Sequence, residues 1–148
     1  MELKIGLIGC GTVGRGLLEI LDRKRDYLKD AFSFEPRIVA ISDKLKGSIL
    51  VPDGIKIKRL FELLDGGGRI DQYYGEGNTA ELLNPLDLVE QCDADVIAEL
   101  TYTDIKTGEP ATSYIKKALR SGMHVVTSNK GPAALYYHEL TSLAKNNN

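Results

Sequence analysis

An α/β fold, an open and doubly wound parallel sheet, is predicted on three observations. Short apolar runs suited to strands buried on both faces alternate along the chain with stretches of helical period. A glycine-rich turn joins the first such run to the first such stretch. The length, 148 residues, allows one well-buried core and is too short for two ordinary domains, so residues 1–148 are expected to form one domain.

The elements follow in order. Leu3 to Ile8 is the first strand, and the turn Gly9-Cys10-Gly11-Thr12-Val13-Gly14 follows it directly. From Thr12 to about Lys29, Val13, Leu17, Ile20, Leu21 and Leu28 fall on one helical face. Pro36 closes the connection, and Arg37 to Ser42 is a second strand, for which a right-handed parallel crossover is the natural link. Lys58 to Leu64 and Pro85 to Gln91 suit short helices. Arg69 to Thr79, with Tyr73-Tyr74-Gly75-Glu76-Gly77-Asn78, has no sustained period and is expected to be a surface excursion. Ala94 to Leu100 is a strand and Glu109 to Ser121 a helix, with Pro110 near its first turn and Gly122 at its end. His124 to Thr127 is a strand, and Pro132 to about Lys145 a last helix. Strands alternating with helices give the doubly wound sheet.

Composition narrows the function classes. A 43% hydrophobic and 27% charged content is that of a globular protein. The net charge of −2, with Lys and Arg spread along the chain, argues against a nucleic-acid partner. No apolar run approaches the roughly 20 residues that span a bilayer. The start Met1-Glu2-Leu3-Lys4 has no signal-peptide layout, so a cytoplasmic location is expected. Cys10 and Cys92 have no metal-ligand spacing, and no metal site is expected.

The glycine turn carries the first chemistry. Gly9 permits the tight turn off the strand, Gly11 lets backbone approach a pyrophosphate, and Gly14 lets helix and strand pack without a Cβ between them. Free N–H groups around Thr12 and Val13 open the helix where its dipole favours negative charge. Strand, glycine turn and helix together point to a Rossmann-like domain that binds the pyrophosphate of a nicotinamide dinucleotide. Cys10 reads as a buried spacer. Asp43, 29 residues after Gly14, stands where a carboxylate accepts hydrogen bonds from the adenosine ribose. Lys44 and Lys46 beside it suit a 2′-phosphate. The aspartate favours NAD and the lysines NADP, so the cofactor is NADP or NAD. An aspartate that merely initiates a turn is the structural alternative.

Two further strand ends lie at the same end of the sheet, Glu99-Leu100-Thr101-Tyr102-Thr103 and Val126-Thr127-Ser128-Asn129-Lys130-Gly131-Pro132. With the glycine turn, Val96-Ile97-Ala98-Glu99-Leu100-Thr101, Thr107-Gly108-Glu109-Pro110 and above all His124 to Pro132, the sequence resembles the cofactor domain of homoserine dehydrogenase. The resemblance runs over essentially the whole chain and is weakest between about Ile49 and Leu88.

That resemblance implies reversible hydride transfer between NAD(P) and the aspartate-semialdehyde/homoserine pair, on the route to threonine, methionine and isoleucine. It implies that Lys130 lies near the nicotinamide and the reacting carbon, as the catalytic residue, and that Thr101 lies along the nicotinamide side. The residue types suit these roles. Reducing an aldehyde builds negative charge on oxygen, which a cationic donor stabilises or protonates. Asn129 suits a carbonyl or the nicotinamide amide, and Thr101 and Ser128 offer short hydroxyls to the ribose or carboxamide. The structural alternatives are a solvated lysine for Lys130 and helix capping for Ser128 and Asn129.

The resemblance also implies a second region, with the substrate pocket and much of a homodimer interface, that has no counterpart in these 148 residues. The chain is therefore expected to be the cofactor-binding portion, binding dinucleotide but turning over little homoserine. Two other readings stay open: the cofactor domain of another enzyme such as an aspartate dehydrogenase, and a free-standing dinucleotide-binding sensor or regulatory subunit. The block Thr127 to Pro132 argues against the first.

Overall fold

The computed structural model describes residues 1–74 and 83–147. Five strands, β1 (Glu2–Ile8), β2 (Glu35–Asp43), β3 (Gly47–Leu50), β4 (Val96–Glu99) and β5 (His124–Thr127), form one sheet in the order β3-β2-β1-β4-β5. β1 pairs parallel with both β2 and β4, and β4 parallel with β5. Chain order therefore reverses across β1, which opens a crevice at the carboxyl ends of β1 and β4 where ligands of such sheets sit.

Side chains alternate across the sheet and feed a core on each face. On one face Ile5, Leu7, Ile38, Ile41 and Ala98 meet α1 (Thr12–Arg23) and α3 (Ile57–Asp65) through Leu18 and Leu60. On the other, Ile8, Val39, Ala40 and Ile97 meet α4 (Pro85–Gln91) and α5 (Ala111–Arg120) through Leu88, Val89 and Ala118. Helices on both faces are the doubly wound arrangement.

Several expectations are corrected. The edge strand β3 is not among the elements the sequence predicts; it pairs antiparallel with β2, so the sheet is not wholly parallel. The hairpin that makes it is local: the Asp43 carboxylate accepts from the amides of Leu45 at 3.0 Å and Lys46 at 3.1 Å, and Gly47 takes φ +88°. The first long helix is broken at Lys24 into α1 and α2 (Arg25–Phe32). Its core face is Gly14, Leu17, Leu18 and Leu21, whereas Val13 and Ile20 are exposed. The last helix is likewise two, α6 (Lys130–Leu135) and α7 (Tyr137–Asn147), broken at Tyr136. The segment expected as a surface excursion starts inside the core: Ile70 opens a 3-10 turn and is fully buried, and Tyr73 is buried with its hydroxyl accepting from the Lys56 amide at 2.9 Å. Residues 75–82 of that segment lie outside the described residues.

Candidate functional site

The glycine turn is built as its residue types require. Gly9 takes φ +97°, and a Cβ there would stand 2.6 Å from the Leu100 carbonyl oxygen. The turn therefore lies hard against the end of β4. A Cβ on Gly14 would stand 2.2 Å from the Gly9 carbonyl oxygen, the close helix-to-turn approach expected of the third glycine. Gly11 differs: a Cβ there would meet nothing within 4 Å. The space beside it is open, as a site for a pyrophosphate must be.

Gly11 caps α1 without a side chain, and the first turn holds no acidic residue. The first N–H groups of a helix have no partner within it, and here no side chain takes that place. Gly11, Thr12 and Val13 are exposed. An open cradle of backbone donors at the positive end of a helix dipole suits the phosphates of a dinucleotide. Cys10 is fully buried beneath the turn, as expected of a spacer, and burial pushes its thiol above the ordinary range, with Lys46 pulling weakly the other way.

Asp43 reaches this turn from the end of β2. Its Oδ2 accepts from the Cys10 amide at 2.8 Å while Oδ1 serves the hairpin. The turn-initiating role therefore holds, and the same carboxylate also ties β2 to the glycine turn. Lys46 donates to the Cys10 carbonyl and so belongs to the turn, while Lys44 is exposed.

The β4 and β5 ends converge on one buried acid. Glu99, the last residue of β4, is fully buried. Its Oε1 accepts from the Thr101 amide at 2.9 Å and the Thr101 hydroxyl at 2.5 Å. Its Oε2 accepts from the Thr127 hydroxyl and from Asn129 Nδ2, each at 2.7 Å. A buried carboxylate is costly unless its lone pairs are filled, and these four donors fill them, each bond to a charged group contributing about 1.5–3 kcal/mol. Asn129 Nδ2 also donates to the Thr101 carbonyl at 2.8 Å, joining the two strand ends directly.

Thr101 and Asn129, singled out from sequence, are thus brought together, and the Gly9–Leu100 contact sets both beside the glycine turn. Asn129 precedes α6, yet its side chain does not cap that helix. The capping alternative fails for Asn129: its Nδ2 is spent on Glu99 and Thr101, and its Oδ1, the atom a cap would use, accepts from no amide of α6. Ser128 is exposed, and only its amide reaches this network, 3.4 Å from the Glu99 carbonyl oxygen. Lys130 opens α6, exposed and without an ion pair among the described residues.

Sequence reasoning missed the hub. Neither Glu99 nor Thr127 stands out from the blocks Val96 to Thr101 and His124 to Pro132 by spacing alone. The signal was present in Val96-Ile97-Ala98-Glu99-Leu100, an acid inside a strand otherwise apolar on both faces, which must find several donors.

Comparison with known proteins agrees with the geometry. Residues 9–148 match the family model described as the NAD-binding domain of homoserine dehydrogenase. The chain is 36% identical over 143 residues to homoserine dehydrogenase of Methanocaldococcus jannaschii, covering 97% of this chain and 41% of that protein. It is 39% identical over 147 residues to the NAD(+)-dependent homoserine dehydrogenase of Pseudomonas canavaninivorans, covering 99% of this chain and again 41% of the relative. Among solved structures, a hyperthermophilic archaeal homoserine dehydrogenase mutant in complex with NADPH superposes with a TM-score of 0.80 at 31% identity, over 99% of this chain and 42% of its own. The homoserine dehydrogenase of Thermoplasma acidophilum gives 0.78 at 26% identity, over 99% and 41%. The chain thus spans about two fifths of the length of these relatives. With its glycine cradle, its strand order and these matches, the chain belongs to the family of homoserine dehydrogenase NAD-binding domains.

Proposed function

We propose that residues 1–148 act as the dinucleotide-binding domain of a homoserine dehydrogenase, which interconverts L-homoserine and L-aspartate 4-semialdehyde in threonine, methionine and isoleucine biosynthesis. The observation that carries this reading is the open space at Gly11, in front of an uncapped helix N-terminus and next to the joined ends of β4 and β5. When bound, the nicotinamide supplies the hydride acceptor or donor. The amides of Gly11 to Gly14 hold the pyrophosphate. Asp43 lies at the adenosine side, where its carboxylate suits a ribose and the exposed Lys44 a 2′-phosphate. One relative is named for NAD(+) and one solved relative holds NADPH, so both cofactors occur in the family. Thr101, Ser128 and Asn129 face the nicotinamide side. Lys130 supplies the positive charge that stabilises or protonates the oxygen formed at the substrate carbon.

Substrate contacts come from residues outside this domain, in keeping with relatives more than twice its length. The complete enzyme is a cytoplasmic homodimer in this reading and has no nucleic-acid or membrane partner. No helix among the described residues is long and apolar enough to cross a membrane.

The test is calorimetric titration of NADP and NAD into the wild-type chain and Gly11→Val. The added Cβ meets no protein atom within 4 Å, so thermal stability is expected to stay near the wild-type level while dinucleotide binding is lost. Unchanged affinity in a folded Gly11→Val protein would remove the cofactor assignment. Homoserine-dependent NAD(P)H production at enzymatic rates by the 148-residue chain alone would overturn the division of labour between domains.

A further inference from the structure

Asn129 Nδ2 spends both of its hydrogens, one on Glu99 Oε2 at 2.7 Å and one on the Thr101 carbonyl at 2.8 Å. Its Oδ1 has no partner among the described residues and is not sealed from solvent, since the Thr103 hydroxyl is the one buried side-chain polar atom left unpaired among them. The amide cannot be turned over. A flip would set Oδ1 against two acceptors, a carboxylate and a carbonyl. Glu99 in turn is held by Thr101, which donates to Oε1, and by Thr127, which donates to Oε2.

We propose that Glu99 is a positioning residue for the nicotinamide half of the cofactor: it selects the Asn129 amide orientation, so that Oδ1 is presented as an acceptor to a carboxamide NH₂. The inference rests on the dinucleotide reading above and deepens it. The cofactor's adenosine half meets the glycine turn and Asp43, none of which bonds to Glu99. The Glu99 network therefore bears on one half of the ligand alone.

Glu99→Gln keeps the shape but replaces one acceptor oxygen with an NH₂ that faces two donors. The Thr101 amide cannot become an acceptor, and Asn129 is released to rotate. The experiment compares the affinities of wild type and Glu99→Gln for two probes. One is NADH or NADPH, whichever the wild type binds more tightly, and the other is its nicotinamide-free fragment, ADP-ribose or the 2′-phosphate of ADP-ribose. The expected result is a loss of about tenfold or more for the dinucleotide with fragment affinity unchanged.

Two results overturn the proposal: dinucleotide affinity equal to wild type, or an equal loss for both probes, which is the mark of a merely structural role. Wild-type protein that binds neither probe overturns the cofactor reading itself, and this inference with it. Should Glu99→Gln fail to fold, Thr127→Val reads the same network from the exposed end of β5. It removes one donor to Glu99, and a smaller but equally selective dinucleotide loss is expected. No loss, or an unselective one, refutes the proposal.

Discussion

At the scale of single residues, the three glycines of the turn answer to different physics. Gly9 and Gly14 are demanded by the protein itself, through a positive φ and a 2.2 Å approach of any Cβ to backbone. Gly11 has no such constraint, since a Cβ there would meet nothing within 4 Å, and under the proposed function its role lies with the ligand. Lys130 contrasts with Glu99 in the same way. The acid is buried and fully bonded, whereas the lysine is exposed at the start of α6, where the proposed function has it meet a developing alkoxide. In the complete enzyme, Lys130→Met is expected to lower kcat by about 10²–10⁴-fold, the usual contribution of a positioned acid or base, with dinucleotide affinity little changed. Steady-state kinetics beside a binding titration check this, and a kcat near wild type would take Lys130 out of the proton-handling role.

At the scale of elements, the loop from β4 to α5 is held by its own chain. Asp104 Oδ1 accepts from the amides of Lys106 at 2.8 Å and Thr107 at 2.9 Å and from the Thr107 hydroxyl at 3.1 Å. Those bonds favour the ionised form and hold the Asp104 carboxyl below its ordinary value of 3.8. A folded-state value lower than the unfolded one stabilises the loop above pH 3.8, and this support disappears as pH falls through the lower, folded value. Protection of the Lys106 and Thr107 amides, taken as intrinsic over observed exchange rate, should therefore persist at pH 3.8 and fall only below it. A carboxyl titration of Asp104 centred above that pH would contradict the bonding. The loop matters because a Cβ on Gly131 would stand 3.2 Å from Thr103 and 3.3 Å from Gly108, so its order bears on where Lys130 begins α6.

At the scale of the whole molecule, one sheet separates two cores, and each core contains one cysteine. Cys10 belongs to the α1–α3 side and Cys92 to the α4–α5 side. Both are buried, and burial raises both thiols above their ordinary range, which suppresses the reactive thiolate near neutrality. If the sheet binds both layers into one cooperative unit, a thiol reagent should label neither cysteine in the native protein. Both should then become reactive along a single denaturant transition that coincides with loss of circular dichroism. Separate transitions for Cys10 and Cys92 would mean that the two layers unfold independently.

The sequence alone determined the alternation of strand and helix, the doubly wound class and the phosphate cradle. All three rest on local spacing: apolar period, glycine offsets and the turn between one strand and one helix. Strand ends of this topology meet at one edge, which marked the two loops, and the resemblance to the family singled out Thr101 and Lys130 within them. What the sequence left undecided were features set by contacts between distant residues. β3 is too short to stand out without β2 beside it, and the breaks at Lys24 and Tyr136 interrupt no pattern visible in the string. Ile70 and Tyr73 are drawn into the core by neighbours far along the chain. The role of Glu99 belongs to the tertiary structure for the same reason. Its value lies in four donors drawn from the ends of two strands, and only the pairing of Glu99 with Thr127 across the sheet brings them to one carboxylate.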